Sequence, residues 1–132
     1  MIGSAETGTY LDSKRCEVSR TERLSDAKIL TTDPKAVCDG ETTSGLGQLC
    51  RKVSLVRGFG DCFGYFMVAC GRADAMLDPI INYYDIAPMF PILAGAGGSF
   101  TSWNGERVRG GGNALACNQR LHGAVLDALA MK

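Results

Sequence analysis

The sequence has one histidine, His122, and no Cys-x-x-Cys pair. A zinc site built on several histidines is thereby excluded, and so are a zinc ribbon and a thioredoxin-type redox motif. There is no charge excess, since Lys+Arg and Asp+Glu are both 14. A chain without a basic surplus is not built to bind nucleic acid by neutralising phosphates. No apolar run approaches the roughly 20 residues of a membrane span. Prolines and glycines interrupt the longest one. The start, Met1-Ile2-Gly3-Ser4-Ala5-Glu6, lacks the basic and apolar regions of a secretory signal. No internal repeat and no low-complexity tail is present.

What remains is 132 residues, enough for one domain with a true core. The hydrophobic share is 45% and the charged share 21%, which suits a soluble globular chain. Six cysteines are spread along it: Cys16, Cys38, Cys50, Cys62, Cys70 and Cys117. Cys62 and Cys70 sit in an apolar run, where a free thiol packs as a small hydrophobe. This usage predicts reduced thiols and a cytoplasmic location.

Residues 1–22 read as a polar hairpin around Asp12-Ser13-Lys14. Leu24 to Thr32 reads as a strand ending at Asp33-Pro34, and Leu46 to Lys52 as a short helix. Val53 to Val56 alternates as a strand. Asp61 to Cys70 reads as a buried helix with Gly71 as its C-terminal cap. Ala73 to Asp78 is a strand stopped by Pro79. Asp85 to Ala96 is a second apolar helix with Asp85 as N-cap, and Pro91 kinks it or shifts its start. Ser99 to Trp103 and Ala114 to Cys117 are strands. Gln119 to Met131 is an amphipathic helix burying Leu121, Val125, Leu126 and Leu129. Alternating strands and helices predict an α/β chain, a layered α+β sandwich with a mixed sheet and flanking helices.

Gly110-Gly111-Gly112 lacks the Lys-Ser/Thr of a phosphate loop and reads as a turn. His122 reads as a surface helix residue. Asp61, Asp78 and Asp85 are different: each lies at an element boundary beside apolar sequence. Such boundaries are where α/β proteins assemble sites. A carboxylate that caps a helix keeps an oxygen free for a cation, and hard cations such as Mg²⁺ take oxygen ligands.

The run from Tyr84-Asp85-Ile86-Ala87-Pro88 to Leu93-Ala94-Gly95-Ala96-Gly97-Gly98 resembles the C-terminal signature of the inositol monophosphatase family. Gly60-Asp61-Cys62-Phe63-Gly64-Tyr65, Val68 to Asp74, and Tyr84-Asp85 resemble the histidinol-phosphate phosphatase branch. The resemblance implies Mg²⁺-dependent hydrolysis of a phosphate monoester. By position it makes Asp85 a ligand of the catalytic Mg²⁺, and Asp78 and Asp61 contacts to the non-phosphate part of the substrate. The family's other metal ligands lie in a Gly-Glu-x-x-x-Asp-like segment and an Asp-Pro-x-Asp-Gly-Thr motif, and neither occurs here. Asp39-Gly40-Glu41-Thr42 is only an echo of the second. Ala94 stands where the family usually has Glu.

The expectation is therefore one C-terminal domain over residues 1–132, with 1–22 a hairpin left from the end of an N-terminal half. No catalytic residue is expected within the chain, which should be inactive alone as a truncated or split enzyme. Its partners would be a small-molecule phosphate monoester and an N-terminal half or a second copy, with neither nucleic acid nor membrane. An inositol-phosphate phosphatase fragment and a non-catalytic remnant of the fold are the alternatives. A half-fold should also expose an apolar face.

Overall fold

The computed structural model describes residues 1–35, 45–60 and 62–130. The chain opens with three short antiparallel strands, β1 Ile2–Ser4, β2 Gly8–Leu11 and β3 Lys14–Cys16. Asp12 and Ser13 both have positive φ, 48° and 66°. That is the backbone a two-residue hairpin needs to match strand twist. A 3₁₀ turn over Leu24–Asp26 then leads into β4, Lys28–Thr31. Helix α1 (Gly45–Lys52), β5 (Leu55–Gly58), α2 (Cys62–Ala69) and β6 (Ala75–Ile81) follow. Two short helices come next, α3 (Tyr83–Ile86) and α4 (Met89–Gly95). Strands β7 (Gly98–Thr101) and β8 (Gly112–Asn118) and helix α5 (Gln119–Ala130) complete the described fold.

The main sheet has five strands in the order β5-β4-β6-β8-β7. β4 runs parallel to β5 and β6, whereas β8 is antiparallel to β6 and β7. The sheet is mixed and flanked by helices, as expected. Side-chain alternation splits its apolar residues between two faces. Ile29, Ala75, Leu77 and Leu115 meet Leu46 and Leu49 of α1 and Leu121 and Val125 of α5. Leu30, Met76 and Ala116 meet Tyr65 and Val68 of α2 and Met89 and Leu93 of α4. Burying one such leucine contributes roughly 2 kcal/mol relative to leaving it exposed.

Three expectations need correction. Pro79 does not stop β6, which runs on to Ile81. Pairing with β4 ends at Leu77, and the register with β8 shifts between Asp78 and Ile81. At that irregularity the missing N–H of Pro79 costs no ladder bond. Asp85 is not an N-cap: it lies inside α3, whose flanking residue is Asn82. The apolar helix is divided, and Pro91 sits in the first turn of α4, where an absent N–H is harmless. His122 is half-buried rather than on the surface, with its Nε2 2.9 Å from the Thr101 hydroxyl. Burial lowers its pKa.

The α2 terminus behaves as read. Gly71 has φ +68°. Its N–H donates to the Val68 carbonyl, and the Arg72 N–H donates to that of Met67. The pair of bonds forms a Schellman cap. Asp74 is a structural acid. It accepts the Lys28 N–H at 2.6 Å and the Ser19 hydroxyl, and Asn118 donates to Ser19 at 2.8 Å. This network fastens the segment after β3 to the end of the main sheet.

The small sheet packs on α4. The Thr9 hydroxyl donates to the Ile92 carbonyl at 2.6 Å. A Cβ on Gly95 would lie 2.4 Å from the Ser4 carbonyl oxygen. Gly95→Ala is therefore expected to destabilise the chain by roughly 1–3 kcal/mol, because backbone must move. Urea unfolding should show this as a lower midpoint at unchanged slope.

Candidate active site

The bulged end of β6 is where the site forms. By alternation Asp78 shares a face with Met76, the face that α2 covers. Asp78 is fully buried, at 0% exposure. A buried carboxyl needs hydrogen-bond donors. Two hydroxyls supply them: Tyr65 of α2 donates to Asp78 Oδ2, and Thr32, just beyond β4, donates to Oδ1. Tyr65 is itself buried, with its ring 5.4 Å from that of Phe100. Burial, reinforced by the bond to Asp78, pushes the Tyr65 hydroxyl far above the ordinary tyrosine range. The hydroxyl therefore keeps its proton and donates a hydrogen bond to Asp78.

Asp78 faces a cavity of about 280 Å³ lined by Thr32, Cys62, Tyr65, Ile80, Ile81, Asn82 and Asp85. Asp85 contrasts with Asp78: it is exposed, and its Oδ2 lies 3.5 Å from the Asn82 amide nitrogen. Its backbone carbonyl accepts the Cys62 thiol at 3.5 Å, which ties α3 to the start of α2. The cavity therefore pairs one buried acid, oriented by hydroxyls, with one accessible acid at its rim. Apolar side chains border it. Ile80 is 87% exposed, and Phe63, Tyr83 and Tyr84 are exposed nearby in sequence.

Two of the three acids singled out in the sequence thus meet at one cavity, and Asp61 lies outside the described residues. Sequence reading missed Tyr65, Thr32, Cys62 and Asn82. Cys62 and Tyr65 are three apart, one helical turn, so they share a face. That spacing was a usable signal for Tyr65. Thr32 carried none, because its bond to Asp78 joins residues 46 apart.

The donor set accommodates Mg²⁺ only in part. Asp85 offers a free oxygen of the type a hard cation takes. Among the described residues, no group of three or more His, Cys, Asp or Glu side chains could hold a metal ion. No helix among them is long and apolar enough to cross a membrane.

Comparison with known proteins bears on the family and the fold. The sequence profile described as the inositol monophosphatase family matches residues 1–131. The chain is 36% identical over 126 residues to a histidinol-phosphatase of Streptomyces coelicolor, covering 95% of this chain and 47% of that protein. It is 32% identical over 128 residues to an inositol-1-monophosphatase of Caulobacter vibrioides, covering 92% of this chain and 50% of that protein. The structure of an inositol monophosphatase from Anabaena superposes with a TM-score of 0.81 at 26% identity, over 96% of this chain and 52% of that one. The chain spans about half the length of the curated relatives it matches. The profile and the fold converge: the chain belongs to the inositol monophosphatase family, whose members are phosphatases acting on small-molecule phosphate esters.

Proposed function

We propose that the chain supplies the substrate-side half of a Mg²⁺-dependent histidinol-phosphate phosphatase. The observation that carries this reading is that Asp78 and Asp85 line one cavity in two different states. Asp85, exposed at the rim, is the Mg²⁺ ligand. When bound, the metal neutralises charge on the phosphoryl group and lowers the pKa of an attacking water. Asp78 is the contact for the rest of the substrate. Tyr65 and Thr32 hold its carboxylate in a fixed orientation at the cavity wall. Histidinol phosphate carries an ammonium group and an imidazole, both suited to a carboxylate. Asp61, next in sequence to Cys62 of the cavity wall, is proposed as a second such contact by resemblance alone.

The relatives named histidinol-phosphatase, at 31% and 36% identity, support this substrate. The relative named inositol-1-monophosphatase keeps an inositol phosphate as the alternative. The sequence lacks the family's other metal-ligand motifs, and on that ground the chain is read as inactive alone. It works with an N-terminal half that brings the remaining carboxylates, or it is a non-catalytic remnant. Phosphate release from histidinol phosphate should be undetectable for the purified chain in Mg²⁺. It should appear when the N-terminal half of a family member is added. Clear turnover by the chain alone, abolished by Asp85→Asn, would contradict the need for a partner. Silence in the mixture would favour the remnant.

A further inference from the structure

Cys16 ends β3, and Cys70 directly follows α2. They are 54 residues apart in sequence, yet their sulfurs lie 3.6 Å from each other. Both are free thiols. We infer that Cys16 and Cys70 are a modification site: a dithiol that closes to an intramolecular disulfide on two-electron oxidation by a peroxide.

The backbone on both sides holds the pair in place. A Cβ on Gly71 would lie 2.7 Å from the Glu17 carbonyl oxygen, so the α2 cap and the segment after β3 are in direct contact. The Val18 N–H donates to the Ala96 carbonyl at 3.0 Å, and Ser19 is bonded to Asp74. With both segments fixed, the sulfurs need to approach by only about 1.5 Å to reach the bond length of about 2.05 Å. Side-chain rotation can supply that movement. Cys117 offers no competing partner, because it is buried in the cluster on the other face of the sheet.

Exposure sets the order of events. Cys16 is 8% exposed and Cys70 is half-buried, so Cys70 meets the oxidant first. Its thiolate attacks one peroxide oxygen, and the O–O bond breaks. The second oxygen leaves as hydroxide and takes a proton to become water, which leaves a sulfenic acid on Cys70. The Cys16 thiolate then attacks that sulfur. The S–O bond breaks, hydroxide departs as water, and the disulfide forms. Two thiols and one hydrogen peroxide give one disulfide and two waters. Burial pushes the Cys70 thiol up to about 11, which keeps the thiolate scarce and the first step slow at neutral pH. The product ties the small sheet to α2, the helix that carries Cys62 and Tyr65 to the cavity.

The test is peptide mapping by mass spectrometry, without reductant, on the purified chain exposed to hydrogen peroxide. The expected result is a Cys16–Cys70 cross-linked peptide, lighter by two hydrogen atoms than its parts and released by dithiothreitol. The oxidised chain should melt several degrees higher than the reduced one. Cys16→Ser should remove the cross-link and let Cys70 proceed to sulfinic acid. Preferential pairing of Cys16 or Cys70 with any other cysteine, or sulfinic acid on Cys70 of the unmutated chain without a cross-link, would overturn the inference. Mapping of the unmutated chain decides the matter even where the variant fails to fold.

Discussion

Asp85→Asn should cut Mg²⁺-dependent phosphate release by roughly 100-fold or more in the enzyme assembled from this chain and a family N-terminal half. Even groups that only support a metal ligand are worth roughly 10- to 100-fold, and Asp85 is assigned as the ligand itself. Asparagine keeps the volume and loses the charge. The fold should not notice the change. Asp85 is exposed, and its carboxylate meets only the Asn82 amide, at 3.5 Å, among the described residues. Thermal unfolding of the variant chain should therefore match the parent. Loss of rate with unchanged melting places Asp85 in the chemistry. Wild-type rate in the variant removes it from the metal site.

The second large effect is on stability, at the other acid. Asp78→Ala should destabilise the chain by roughly 2–5 kcal/mol, since it opens a void and strips the buried Tyr65 hydroxyl and the Thr32 hydroxyl of their acceptor. Tyr65→Phe should cost less, roughly 1–3 kcal/mol, by removing one donor from a fully buried carboxyl. The double variant should fall well short of the sum, because both changes break the same bond. Urea unfolding of the four proteins measures the shortfall, and strict additivity would mean that the bond contributes nothing.

The same bond gives the stability a pH dependence. The unfolded chain ionises Tyr65 near the ordinary 10.0, while the folded chain holds the proton far higher. Above that pH the unfolded state binds fewer protons, so stability falls as pH rises. Burial pushes the Cys117 thiol from 9.0 up to about 12, and burial also raises Cys70 to about 11. These thiols contribute in the same direction and begin earlier, near pH 9. Stability should be flat between about pH 7.5 and 8.5 and decline through pH 11, while on the acid side the lowered His122 pKa makes it fall below about pH 6.5. Tyr65→Phe should flatten the part of the decline above pH 10.

Local chemistry was legible along the chain where it depended on neighbours in sequence. The Asp12-Ser13 turn, the Gly71 cap and the inner face of α5 all rest on contacts within a few residues. Pro79 misled because its cost depends on which strands pair beyond it, and the pairing of β6 with β4 ends at Leu77. Asp85 misled because two prolines break the apolar run and move the helix starts around it. Tyr65 was hidden in an apolar helix. Its role appears only when the fold sets its hydroxyl against Asp78, 13 residues away on another element. His122 likewise gained its Thr101 partner from a strand 21 residues earlier. Asp78 and Asp85 stood out because charge at the edge of apolar sequence needs a reason, and both line one cavity.

The central claim is that this cavity serves histidinol phosphate, with Asp85 holding metal and Asp78 meeting the amine end. The measurement that tests it most directly is the ratio of kcat/KM for histidinol phosphate and inositol phosphate. It is made in Mg²⁺ on this chain mixed with a family N-terminal half. Histidinol phosphate is expected to be preferred by roughly 10-fold or more, the scale of one well-made charged contact. Equal rates, or a preference for inositol phosphate, would contradict the account.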